Sequence, residues 1–339
     1  MKDRNEKREE IVRHLVTTVA NEANIKEKEV IEREINTISK MKDQEAIDYI
    51  LITLNRFYER KILTEEQIFS NAEDILSLST EEYKTIDDLL NRLFWLKSRN
   101  FDHQNTSLRE NHELVIETFD KLNGLIENNF DCFYTGGLMG YIATNQRLER
   151  FHGDLDLFIN ENELLELKKV VDESSEFTFK SSLKKKGKTG HEFEIVCKNK
   201  PMSIGLFLFE REFDDSVTLK SYYYENDKLL VQERHYDKDY TKIAFPKVPR
   251  THHNHCYQMM SLEAIYNSKK RGRIKDKYDA KKIEPYIDKE LEKQLDLAPE
   301  NQVIQTKTVN KSIVLEIEGM LQGKKRQTKR EEEHSRKKL

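Results

Sequence analysis

Proline and glycine are scarce in the first third of this chain. No proline occurs up to residue 125 and Gly124 is the lone glycine there, so the residues that break helices or shape tight turns are almost missing from that stretch. Cysteine is equally sparse. Cys132, Cys197 and Cys256 are far apart and odd in number, which argues against a disulfide framework and fits a reducing compartment. No run of 18 apolar residues occurs, and the opening MKDRNEKREEIVRHL has no apolar stretch of the secretory kind, so a soluble cytoplasmic protein is expected. The chain also carries neither a Gly-x-x-x-x-Gly-Lys phosphate loop nor a Gly-x-Ser-x-Gly elbow. The net charge of −4 comes from interleaved acidic and basic residues and does not argue for nucleic acid. Residues 324–339 depart from that balance, with eight Lys or Arg against three Glu, and read as a charged, disordered tail rather than a polyanion-binding arm.

What the chain does hold is charge and aromatic bulk. At 339 residues it is long enough for two units, and 16 Phe and 14 Tyr supply a core despite a charged fraction of 35%. Residues 1–125 read as a helical region. Ile11, Leu15 and Val19, then Ile47, Ile50, Leu51, Leu54, Phe57 and Tyr58, recur at three- and four-residue spacing. Thr64 with Gln67, and Thr80 before EEYKTI, are N-terminal caps by pattern. No cluster there suggests chemistry, so a packing, regulatory or partner-protein-binding role is expected.

From residue 126 to 250 the texture is that of an α+β domain. DCFYTGG, DLDLFIN, EFTFKSSL, HEFEIVCKN and MSIGLFLFER read as strands, with helices over LMGYIATNQRLE and ENELLELKKVVDES, which implies a mixed sheet with flanking helices. LKSYYYENDKLLV adds an extended or hairpin segment. Residues 251–323 return to helix: HCYQMMSLEAIYNSKK, IKDKYDAKKIEPYIDKELEKQLD and NKSIVLEIEGMLQ, with Gly272 breaking the first.

Within the strand FHGDLDLFI, Asp154 and Asp156 share one face while Leu155, Leu157 and Ile159 take the other. Two neighbouring carboxylates repel and raise each other's pKa unless a cation lies between them. Mg²⁺ suits the pair, because it binds through one or two carboxylates and takes further ligands from water and phosphates. The plainer reading is an edge strand whose charges deter aggregation. Upstream, Gly136 and Gly137 end a strand and open a helix, where backbone N–H groups can approach a phosphate.

The stretch YTGGLMGYIATNQRLERFHGDLDLFI resembles the opening of the polymerase-β-like nucleotidyltransferase superfamily, which runs strand, Gly-Gly, helix, Asp-x-Asp strand. It is most similar to the minimal members: the aminoglycoside and lincosamide nucleotidyltransferases and the nucleotidyltransferase-like toxins of toxin–antitoxin systems. The His-Gly-Asp-Leu-Asp form, with Arg147 or Arg150 shortly before it, is typical of the antibiotic-modifying branch and its relatives. The likeness covers about residues 130–212 and implies a nucleoside triphosphate donor, Mg²⁺ and an acceptor hydroxyl. By position, Gly136 and Gly137 match the phosphate-contacting pair, and Asp154 and Asp156 the metal-binding carboxylates. Leu138 stands where many members have Ser, and Gly205 where the third carboxylate is usual. Glu192, Glu194 and Glu210 are candidate replacements, with Glu194 taken as the catalytic one.

A second stretch, SLEAIYNSKKRGRIKDKYD, resembles the helical element of the same minimal members, with Arg273, Lys275, Asp276 and Asp279 in the Arg-x-Lys-Asp-x-x-Asp pattern and Glu263 and Lys269 before it. Lys269 and Arg273 could neutralise donor phosphates. Lys275 and Asp276 could instead tie helix to sheet. The expected activity is transfer of a nucleoside monophosphate to a hydroxyl of a small molecule such as an antibiotic, or of tRNA or protein. Asp154, Asp156, Glu194, Lys269 and Asp276 form the catalytic set, and Gly136, Gly137 and Arg273 the nucleotide-binding set. The rival is a nucleotide-binding or regulatory protein that kept the fold without turnover. His252, His253, His255 and Cys256 in THHNHC are zinc-ligand types, but too tightly spaced for all four to meet one ion, so a loop is expected.

Overall fold

The computed structural model describes residues 4–22, 24–59, 63, 64, 67, 75, 89, 92, 108–126, 129–148, 150, 152–185, 191–272, 274–297 and 304–323. The cap expected at Thr80, the 324–339 tail and Arg273 lie outside them. The chain divides into two compact units: residues 1–108 with 148–152 and 273–275, and residues 109–147 with 153–272 and 276–339.

The first unit contains helices α1 (Arg4–Glu22), α2 (Lys28–Ser39) and α3 (Asp43–Glu59). Their apolar faces meet through Val12, Leu15, Ile35, Ile38, Ile47 and Leu54, all nearly inaccessible to solvent. Burying each such side chain stabilises the bundle by about 1.5–3 kcal/mol. An apolar cavity of about 140 Å³ lies among Leu15, Val19, Ile31 and Leu54. The Thr64–Gln67 capping box forms as its sequence suggests, with the Thr64 N–H donating to Gln67 Oε1 at 2.7 Å and the Gln67 N–H to Thr64 Oγ1 at 3.3 Å.

The second unit opens with α4 (Leu108–Ile126) and continues through β1 (Cys132–Thr135), α5 (Gly137–Ala143), β2 (Asp154–Asn160) and α6 (Leu164–Glu173). Strands β3 (Phe177–Ser181), β4 (Lys184–Lys185), β5 (Phe193–Cys197), β6 (Ser203–Arg211), β7 (Val217–Glu225) and β8 (Lys228–Tyr236) follow. After α7 (Lys238–Ala244) come the hairpin β9 (Arg250–His252) and β10 (His255–Tyr257), helices α8 (Leu262–Lys269), α9 (Ile274–Ile283) and α10 (Lys289–Leu297), strand β11 (Ile304–Thr308), and a helix over 313–323.

The main sheet is mixed and runs β1-β2-β6-β7-β8-β11, with β5 also on β6, β3 on β5 and β4 on β7. β2 is parallel to β6, and β1 is antiparallel to β2. The β7–β8 hairpin turns through Asn226 and Asp227, both at positive φ (49° and 59°), as a two-residue turn matching the strand twist requires. HCYQMM, expected to be helical, is instead strand and extended chain. His255–Tyr257 pairs back on Arg250–His252, and Tyr134 of β1 bonds Gln258 and Met260 at 2.9 Å each, so backbone pairing outweighs local helix preference. The helix therefore starts at Leu262, where the Ser261 hydroxyl caps Ala264 N–H at 3.1 Å.

Alternation sorts the central strands into two faces. Leu155, Leu157, Ile159, Ile195, Ile204, Leu206 and Leu208 are fully buried on one. On the other, Phe158 meets Phe207 at 5.4 Å and Phe245 at 5.7 Å, while β2 is exposed at its start, Asp154.

Candidate active site

Strand pairing, rather than sequence proximity, assembles the polar row. Asp156 stands opposite Thr135 on one side and Gly205 on the other. Gly205 is in turn opposite Glu194, and Glu194 opposite Lys180. Directly paired residues share a face, so Asp156 and Glu194 project to the same side of the sheet across the bare position at Gly205. Asp154, two residues back on the same face, is exposed and Asp156 half-buried.

Gly136 has φ 87° and ψ 170°, a conformation essentially restricted to glycine. A Cβ there would fall 2.5 Å from Asp156 Oδ2, so the backbone at the entry to α5 lies directly against this carboxylate. Gly137 follows as the first, buried residue of α5.

Gly205 is bare for a visible reason. A Cβ on it would lie 2.7 Å from His191 Nδ1 and 3.0 Å from His191 Cγ, so an imidazole occupies the space a side chain at 205 would need. The same ring meets Phe207 edge-on at 6.3 Å. His191 was not singled out from the sequence. Only the fold-back of the chain ahead of β5 brings it over β6, and local spacing carries no sign of that.

The glutamates separate. Glu194 lies in the row and is half-buried, and Glu192, just ahead of β5, is buried. Glu210 is a correction. It falls on the opposite face by strand alternation and bonds Lys220 at 2.6 Å, which also bonds Glu161 at 2.6 Å, with the Tyr222 hydroxyl donating to Glu161 at 2.6 Å. That network excludes Glu210 from the row.

In the helical element, Lys269 Nζ lies 2.9 Å from Asp276 Oδ1 and 3.5 Å from Asp279 Oδ2. Asp279 is fully buried and Asp276 nearly so, which makes the trio an internal clasp between α8 and α9. Glu263 accepts the Asp288 N–H at 2.9 Å and so steadies the start of α10. The Lys275 side chain and Arg273 lie outside the described residues. Arg147 belongs to the second unit, and its charge, after burial, helps hold the His112 imidazole below its usual pKa. Arg150 and His152 fall in the 148–152 segment of the first unit.

Two carboxylates on one face of β2, the outer one exposed, form the all-oxygen donor set a hard divalent cation prefers, and the backbone at Gly136 lies close against the inner one. The residues present therefore fit Mg²⁺. No helix among the described residues is long and apolar enough to cross a membrane.

No family model matches the chain, and no curated protein matches it in sequence. Among solved structures, the solution structure of the antibiotic-resistance factor ANT(2'')-Ia is similar at 12% identity and a TM-score of 0.39, over 56% of this chain and 93% of that one. A likeness this weak establishes neither fold nor activity.

Proposed function

We propose that the protein is a Mg²⁺-dependent nucleotidyltransferase, moving a nucleoside monophosphate from a nucleoside triphosphate to an acceptor hydroxyl. The observation that carries this reading is the cross-strand row, in which Asp156, Gly205 and Glu194 stand in register with the His191 imidazole over Gly205. Asp154 and Asp156 would hold the cation, and the backbone of Gly136 and Gly137, which lies against Asp156, would contact the phosphates. The bound cation supplies charge for the triphosphate and for the leaving oxygen.

The remaining steps belong to the chain. His191 over Gly205, or Glu194 paired with Gly205, accepts the proton of the acceptor hydroxyl as its oxygen bonds the α-phosphorus. The bond from that phosphorus to the bridging oxygen breaks and pyrophosphate leaves. Lys269, held by Asp276 and Asp279, fixes α8 against α9 and acts as a positioning residue. The acceptor is a small molecule of the antibiotic kind or a macromolecule, tRNA or protein, and the N-terminal helices are a surface for a partner protein.

The bare position at Gly205 supports a second reading, a protein that binds nucleotide without turnover. Calorimetric titration with nucleoside triphosphates, with and without Mg²⁺, tests the binding that both readings share. Asp154→Asn/Asp156→Asn is expected to lose the Mg²⁺-dependent component; a variant that keeps it removes the cation site of the first reading, and no nucleotide binding by wild type removes both.

A further inference from the structure

A second cluster of ligand-type side chains lies in the same unit. Asp120 sits on α4, and His252 and His253 at the tip of the β9–β10 hairpin. The Asp120 carboxylate is shared: His252 Nδ1 lies 2.9 Å from Oδ1 and His253 Nδ1 2.7 Å from Oδ2. One ligand atom from each of the three residues falls within 4.8 Å of the other two.

Consecutive residues of an extended strand point to opposite sides, so two adjacent histidines do not ordinarily face one carboxylate. His253 has φ 49°, and this left-handed step brings the two rings to a centroid separation of 4.2 Å on the Asp120 side. The Phe119 ring, edge-on at 5.4 Å, further fixes the His252 imidazole. Asp120 and His252 are about three-quarters shielded, while His253 is 62% exposed, which leaves an entry path from solvent.

We infer that Asp120, His252 and His253 form a binding site for a first-row transition dication, with zinc as the reference ion. Two imidazoles and one carboxylate make a borderline donor set that suits zinc and its neighbours better than Mg²⁺ or Ca²⁺, which prefer oxygen throughout. Four-coordinate ligation at about 2.0–2.1 Å separates donor atoms by roughly 3.3 Å, so the two oxygen–nitrogen contacts open by about half an ångström while the remaining donor separations, already within 4.8 Å, close toward that value. Three protein ligands leave the fourth place to water.

The ion would pin the hairpin tip to α4. The hairpin continues into Gln258–Met260, the segment bonded to Tyr134 of β1, so the clamp steadies the strand that ends beside Gly136. The site does not depend on the nucleotidyl-transfer reading. Sequence spacing alone did not show it, because its third ligand comes from a helix far upstream.

The test uses the untagged full chain, stripped with EDTA and dialysed, then titrated with zinc chloride by calorimetry and with cobalt chloride by visible absorption. Wild type is expected to take up one zinc per chain, to melt at a higher temperature with it, and to give a tetrahedral cobalt band. Asp120→Asn and the exposed-residue variant His253→Ala are expected to lose at least about 10-fold in zinc affinity while melting in EDTA as wild type does. Asp154→Asn/Asp156→Asn should bind zinc unchanged. No uptake by wild type, or unaltered affinity in His253→Ala, overturns the site.

Discussion

A Cβ on Gly136 would stand 2.5 Å from Asp156 Oδ2, so the glycine and the aspartate cannot both keep their places if either gains a heavy atom toward the other. Gly136→Ala is therefore expected to displace the carboxylate and to strain a backbone at φ 87° by about 1–3 kcal/mol. Its affinity for Mg²⁺–nucleotide should fall at least tenfold, which corresponds to about 1.4 kcal/mol. Gly319→Ala is the control. Nothing lies within 4 Å of its would-be Cβ, and calorimetry should find nucleotide affinity unchanged with stability level or raised by up to about 1 kcal/mol.

If His191 takes the acceptor proton, His191→Gln should lower kcat by about 10²–10⁴ with little change in the KM for nucleotide. Restoring a carboxylate should partly compensate. In Gly205→Asp combined with His191→Ala, the added side chain enters the space the imidazole leaves, and steady-state rates should exceed those of His191→Ala alone. A wild-type kcat in His191→Gln would remove His191 from the chemistry.

Lys269→Met removes an ammonium that pairs with Asp276 and with the fully buried Asp279, and urea unfolding should show a clear loss of stability. Arg109→Ala removes an exposed, solvent-screened pair with Glu113 and should leave the unfolding midpoint unchanged. A phosphate-contacting Lys269 would behave differently, raising the KM for nucleotide while leaving stability intact.

Burial pushes the Cys132 thiol up from 9.0 to about 12. The unfolded thiol ionises near pH 9 while the folded one stays protonated, so unfolding releases a proton in this interval. Cys132 thus contributes stability that is whole below pH 9.0 and lost as pH rises toward about 12. Unfolding midpoints should decline over that window in wild type and decline less in Cys132→Ala.

The strand–glycine–strand core of the site was legible because alternation exposes it directly. Asp154 and Asp156 interrupt Leu155, Leu157 and Ile159 at a spacing of two, and buried leucines against half-open aspartates are what the structure contains. The row around Gly205 was only half legible, since register between β2, β6 and β5 is a property of pairing and not of any one segment. His191 left no local signal, because its position depends on how the chain enters β5. The β9–β10 hairpin was read as a loop running into a helix from His255, because its turn uses His253 and Asn254 rather than a glycine pair. Strand β11 escaped notice for a related reason: Ile304–Thr308 is exposed throughout, so no buried face marks it, and only pairing with β8 makes it a strand.

The central claim is that the Asp154–Asp156 pair and the row beside it carry out transfer. It is tested most directly by incorporation of label from α-³²P-labelled nucleoside triphosphates into small-molecule, tRNA and protein acceptors in the presence of Mg²⁺. Wild type is expected to label at least one acceptor class, and Asp154→Asn/Asp156→Asn none. Equal incorporation by the two proteins, or none by wild type that nonetheless binds Mg²⁺–nucleotide, would contradict catalysis at this site.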